Sequence, residues 1–154
     1  LEHWASFRAS LHRLCGVLAD LGRREHPPAS VLLLSGDVHS SSIASAALDG
    51  VRAGRTAIFQ LTMSPFRNPL GRTLRVVVRA LSIRPLGAVA HWFARRAGVV
   101  DVPIRWKVEQ GTWFDNGLMT IVMEGRSAQV EVDHAFAVDG DHVLRRTHTT
   151  PLTR

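Results

Sequence analysis

The residues best equipped for chemistry stand close together, in Ser35-Gly36-Asp37-Val38-His39-Ser40. A carboxylate and an imidazole two positions apart point to the same side of the chain where the backbone is extended. They follow Val31-Leu32-Leu33-Leu34, an unbroken apolar run between turn formers, which predicts a strand buried on both faces. The C-terminal end of such a strand is where open α/β sheets place their ligands. Gly36 lets the backbone turn just ahead of the pair. One oxygen and one nitrogen donor on a common edge suit a pair of metal ions about 3.5–4 Å apart, each residue serving one ion. The same spacing also fits a plainer arrangement, in which Asp37 caps a turn and His39 is an ordinary polar loop residue.

Arg67 and Asn68 form the second candidate set, inside Ser64-Pro65-Phe66-Arg67-Asn68-Pro69. A guanidinium grips phosphate oxygens bidentately, and two prolines would hold its loop rigid; a solvated loop arginine is the competing account. Trp113-Phe114-Asp115-Asn116 reads as core packing followed by a turn into a strand, with a pocket wall as the alternative. His3, His12, His26, His91, His134, His142 and His148 lack ligand spacing and read as surface or packing residues. The single cysteine, Cys15, excludes an internal disulfide and a Cys-based zinc site, leaving a buried thiol.

These groups need a frame, and the hydrophobic pattern supplies one. Trp4, Phe7, Leu11, Leu14, Leu18 and Leu21 recur at spacings of three and four, which predicts a helix from about Glu2 to Arg23, stopped by Pro27-Pro28. After the strand at Val31, Ile43 to Leu48 and Thr56 to Thr62 read as two more, joined through Asp49-Gly50 and Ala53-Gly54. Leu70 to Ala97 is basic and apolar, a helical segment broken near Pro85. Ile104, Trp106 and Val108 alternate with charged residues, as in a half-buried strand. Leu118 to Met123 and Ala128 to Val132 flank Glu124-Gly125-Arg126 as a hairpin. The last stretch, 139–154, is rich in His and Thr and reads as a poorly ordered polar tail.

Composition sets the outer bounds. The 154 residues are 45% hydrophobic and 21% charged, enough apolar material for a core, so a disordered chain is excluded. No run is long enough for a membrane-spanning helix. Nineteen basic residues, all but one of them arginine, against 13 acidic ones give +6 and favour an anionic partner. In the segment 70–97, Arg72, Arg75, Arg79, Arg84, Arg95 and Arg96 interleave with apolar residues, as in a covering helix, a lid, or a helix lying on an anionic membrane or nucleic acid. The chain opens at Leu1 with no visible signal peptide, which suggests a fragment.

The run Val31 to His39 closely resembles the LSGDVH element of the PhoD-like metallophosphatases, the alkaline phosphatase D family. Glu2-His3-Trp4-Ala5-Ser6-Phe7-Arg8 resembles that family's preceding helix. Gln60-Leu61-Thr62 with Ser64 to Pro69 resembles its next strand and loop, and Trp106 with Gly111 to Asn116 its late W…GxWFDN element. The likeness spans about residues 1 to 133 in order. It implies an α/β (α+β) fold, the C-terminal half of a metallophosphoesterase-type β-sandwich flanked by helices, over 1–138. It also implies metal-dependent hydrolysis of a phosphoester by two divalent or trivalent ions (Fe, Ca, Zn or Mn). Asp37 and His39 would be the catalytic metal ligands, with Asp replacing the first histidine of the superfamily's Gly-His-x-His pair. Arg67 and Asn68 would hold substrate. The superfamily's earlier ligand motifs do not occur here, since Gly140-Asp141 follows the pair. The partner so implied is a missing N-terminal half, without which the chain would be inactive and would fold poorly. Ser40-Ser41-Ser42 departs from the bulkier residues expected after the pair. Nucleic acid is not the expected partner on this reading, and a cytoplasmic or secreted location is left open. The rival is a non-catalytic basic module that recruits nucleic acid or a membrane surface.

Overall fold

The computed structural model describes residues 7–36, 40–49, 55–63, 92–93, 96–98 and 103–153. It is an α+β arrangement of one helix and two β-sheets. Helix α1 (Arg8–Arg23) buries Leu11, Cys15, Leu18, Ala19 and Gly22, so the stripe read from the leucines runs one position to the side. Small residues on that side let the helix approach the sheet, while Phe7, predicted for the stripe, is exposed. The helix ends with a basic residue, Arg23, where the macrodipole favours one, before Pro27-Pro28.

The first sheet joins β1 (Ser30–Gly36), β2 (Ser41–Leu48), β3 (Ala57–Met63) and β4 (Ile104–Trp113) in the order β1-β3-β2-β4. Strands β1 and β3 are parallel; β2 runs antiparallel to both β3 and β4. The second sheet is an antiparallel meander of β5 (Gly117–Glu124), β6 (Ser127–Val138) and β7 (Asp141–Pro151). Glu124 pairs with Ser127 across Gly125-Arg126, the predicted hairpin, and Gly125 takes the φ of +56° that a two-residue turn demands.

Alternation along the strands builds two cores. Ile43, Ala57, Phe59 and Leu61 pack against Ala128, Val130, Val132 and Leu152, which seals the two sheets face to face. On the other face of the first sheet, Leu48, Ile58 and Ile104 meet Leu11, Cys15, Leu18 and Ala19 of α1. Val31 and Leu33 pack toward the helix and Leu32 toward the second sheet. Both faces of β1 are thus engaged, but the expectation of full burial is corrected. Only β3 pairs with this edge strand among the described residues, and Leu34 is 67% exposed.

Strand β4 forms where the alternation predicted one, but the expectation of a half-buried strand is corrected: of Ile104, Trp106 and Val108 only Ile104 is buried. The larger correction concerns residues 139–154. Asp141 to Pro151 pair with β6 along its length, and Leu152 is fully buried. Thr-rich, alternating sequence is strand former as well as tail material, and the apolar inner face of β6 decides between them. The turn at 50–54 lies outside the described residues. Of the segment 70–97, Trp92, Phe93, Arg96 and Ala97 are described; both aromatics are exposed, and Arg96 sits 5.4 Å from the Trp92 ring centre. No described helix is long and apolar enough to cross a membrane.

Candidate functional site

The registers bring four strand ends to one edge of the first sheet. Gly36 at the end of β1 pairs with Met63 at the end of β3. Ser42, near the start of β2, pairs with Thr62, and Ser41 faces Trp113 at the end of β4. Asp37 and His39 lie outside the described residues, as do Arg67 and Asn68. The described frame on either side of them in sequence is this edge, with Gly36 and Ser40 flanking the first pair and Met63 preceding the second.

Polar side chains line the helix-side face of that edge. Ser35 Oγ and Thr62 Oγ1 are 2.9 Å apart, and Gln60 Nε2 donates to Ser35 Oγ at 3.1 Å. The Ser35 hydroxyl is therefore engaged by two neighbours across the β1–β3 pair. Where β2 meets β4 the register slips between Ser41 and Ser42, and Gly111 makes the slip feasible. Its φ is +100°, and a Cβ there would lie 2.8 Å from the Ser41 carbonyl oxygen and 3.0 Å from Ser42 Cα. Only glycine admits so close an approach of two backbones.

The turn after β4 follows the packing account of the sequence. Phe114 is buried, the Asn116 carbonyl accepts from Ala135 N at 2.8 Å, and Gly117 then begins β5. Trp113 does something the sequence did not disclose. It lies between His134 of β6 and His148 of β7, at ring-centre distances of 5.4 and 4.8 Å. Thr147 links the two imidazoles, its Oγ1 being 2.7 Å from His134 Nδ1 and 3.0 Å from His148 Nδ1. Burial lowers the pKa of His134 below its ordinary value, against the pull of Asp115; His148 lowers it further and Asp133 raises it. Cys15, the buried thiol, has its pKa raised by the same desolvation.

His134 was read as a surface or packing residue and is the latter, but with a partner set that spacing alone could not reveal. The usable clue was parity: Ala128, Val130, Val132 and His134 share one face of β6. Among the described residues, no three His, Cys, Asp or Glu side chains gather into a metal-holding group. Compared with known proteins, the chain matches no family model, no curated protein and no solved structure.

Proposed function

We propose that the chain is part of a metal-dependent phosphoester hydrolase of the PhoD-like type, with its reaction centre at the first sheet's β1–β3–β2–β4 edge. The observation that carries the reading is the placement of Gly36 and Ser41, which bracket Asp37-Val38-His39 in sequence, at the edge where β3 and β4 also end. Strand ends of an α/β layer are where substrates of such enzymes are received.

The donor set fits the ions that the resemblance implies, since carboxylate and imidazole together suit borderline and hard divalent or trivalent metals. Asp37 would hold one ion and His39 the other, as the C-terminal ligands of a dinuclear site. Two side chains do not complete such a site, so the remaining donors come from elsewhere in the natural protein. Bound there, the metal pair supplies a lowered water pKa and a counter-charge for the phosphoryl oxygens. Arg67 adds a planar fork for two of those oxygens, and Asn68 a neutral hydrogen-bond partner beside it. Ser35 is not a nucleophile on this reading, because Thr62 and Gln60 hold its hydroxyl.

Hydrolysis of a chromogenic phosphomonoester and a phosphodiester by the natural full-length polypeptide tests the proposal. Activity should vanish with chelator, return with added metal, and be lost in Asp37→Asn and His39→Ala. Wild-type rates in both variants would refute it, and salt-sensitive binding of nucleic acid without hydrolysis would favour the basic-module alternative.

A further inference from the structure

His134 ends the inward-facing row Ala128, Val130, Val132 of β6, and only 6% of its surface is exposed. One tautomer satisfies all of the hydrogen bonds around it. Thr147 Oγ1 donates to the Val132 carbonyl at 3.2 Å, and a carbonyl can only accept, so the hydroxyl's one proton is committed. All three contacts are satisfied together when both imidazoles donate from Nδ1, at 2.7 Å from His134 and 3.0 Å from His148. In that arrangement His134 carries its proton on Nδ1 and a lone pair on Nε2. That nitrogen is buried with no hydrogen-bond partner among the described residues.

The ring also sits at a joint between the sheets. Trp113, the last residue of β4, packs edge-on to it, and the two histidines are 6.2 Å apart. On the β5 side Gly117 lies so close that a Cβ there would be 3.1 Å from His134 Cδ2 and 3.3 Å from Met63 Cε of β3. We propose that His134 is an acid-sensitive clasp between the two sheets. Neutral, it closes the inter-sheet layer against Trp113 and holds β7 through Thr147. Protonated, it brings a charge and a second N–H to a buried ring nitrogen that no described residue partners, and β6 and β7 loosen from the end of β4.

The groups around the ring set the balance. Asp115, after β4, and Asp133, on β6, favour the proton; His148, on β7, opposes it. Asp133 is already held by Arg146 at 3.2 Å, which also reaches Glu131 at 2.7 Å, and Arg145 stands opposite His134 in the register. Gly117 of β5, beside the ring, and Met63 of β3, beside Gly117, do not titrate. The device requires only the fold and is independent of the proposed hydrolysis.

The sign follows from linkage. The ordinary pKa of 6.5 holds in the unfolded chain, and the folded value lies below it. Above 6.5 the group is neutral in both states and makes no difference. As pH falls below 6.5 the unfolded chain takes up the proton first, so the unfolding constant rises, levelling off below the folded pKa. Each unit of separation is worth about a tenfold rise.

Two measurements on the wild-type chain and its variants test the clasp. Long-range nitrogen–proton NMR correlations should show His134 as the neutral Nδ1–H form, titrating below 6.5. Urea unfolding from about pH 7.5 to about pH 4.5 should show a rise in the unfolding constant that shrinks in His134→Leu and persists in His148→Gln. A protonated Nε2 at neutral pH, a His134 titration at or above 6.5, or an undiminished rise in His134→Leu would overturn the proposal. If His134→Leu does not fold, the wild-type NMR titration decides alone.

Discussion

Ser35 and His134 each stand where a strand of one sheet reaches the candidate edge, and their surroundings differ in kind. Ser35 shares hydrogen bonds with Thr62 and Gln60, three small or neutral groups that no ordinary pH change alters. His134 has one ring nitrogen satisfied by Thr147 and the other buried without a partner among the described residues. The first sheet thus ends in a satisfied, passive frame, suited to holding neighbouring residues still. Beside it the second sheet carries, within β6, a group whose protonation state the proposed clasp couples to packing. The contrast separates chemistry from response: substitutions next to β1 should change reactivity with little effect on stability, and those around β6 and β7 the reverse.

The largest expected effect is on the first side of that contrast. Asp37→Asn and His39→Ala should each lower phosphoester hydrolysis by orders of magnitude, since a dinuclear centre needs both ions. Their thermal midpoints should stay near wild type, and a comparable loss of stability would blur the distinction. The double variant should be scarcely worse than either single one, because residues acting as a unit are non-additive. Arg67→Ala should weaken turnover or substrate binding with metal content unchanged, and Arg67→Lys should recover only part. Unchanged kinetics in both would return Arg67 to a solvated loop residue.

Effects on stability come next. Gly111→Ala must push a methyl group against the Ser41 carbonyl and strain a φ of +100°, so urea unfolding should show a loss of about 3 kcal/mol or more. Leu152→Ala empties a fully buried site and should cost about 2–4 kcal/mol. Leu144→Ala, on an exposed stretch of β7 ahead of it, should change stability by no more than about 0.5 kcal/mol. Equal effects at Leu152 and Leu144 would contradict the placement of β7. Ser35→Ala should cost about 1 kcal/mol, independent of pH, in contrast to the pH-dependent behaviour expected of His134.

Much of this frame was legible in the residues. The run Val31 to Leu34, the two strands after it, the hairpin at Gly125 and the helix ahead of Pro27 all follow from period and punctuation. What escaped was set by tertiary partners. Nothing local to Thr147-His148-Thr149-Thr150 distinguishes a tail from a strand, because the apolar face that recruits it belongs to β6. Leu34 is exposed and β1 pairs with β3 alone among the described residues, a matter of sheet order and coverage that a run of leucines does not encode. Phe7 is exposed because it is the N-cap residue, one position ahead of the helix, and the buried stripe begins only at Leu11. The histidine pair escaped because His134 and His148 sit fourteen positions apart and meet only through the β6–β7 register and Trp113.

The central claim is that Asp37 and His39 hold different metal ions at the end of β1. Elemental analysis of the natural full-length polypeptide, wild type and both single variants, purified under identical conditions, addresses it most directly. The account predicts two ions per wild-type molecule and a loss of about one ion in each variant, with the folded state intact by circular dichroism. Metal content at the wild-type level in both folded variants would contradict it.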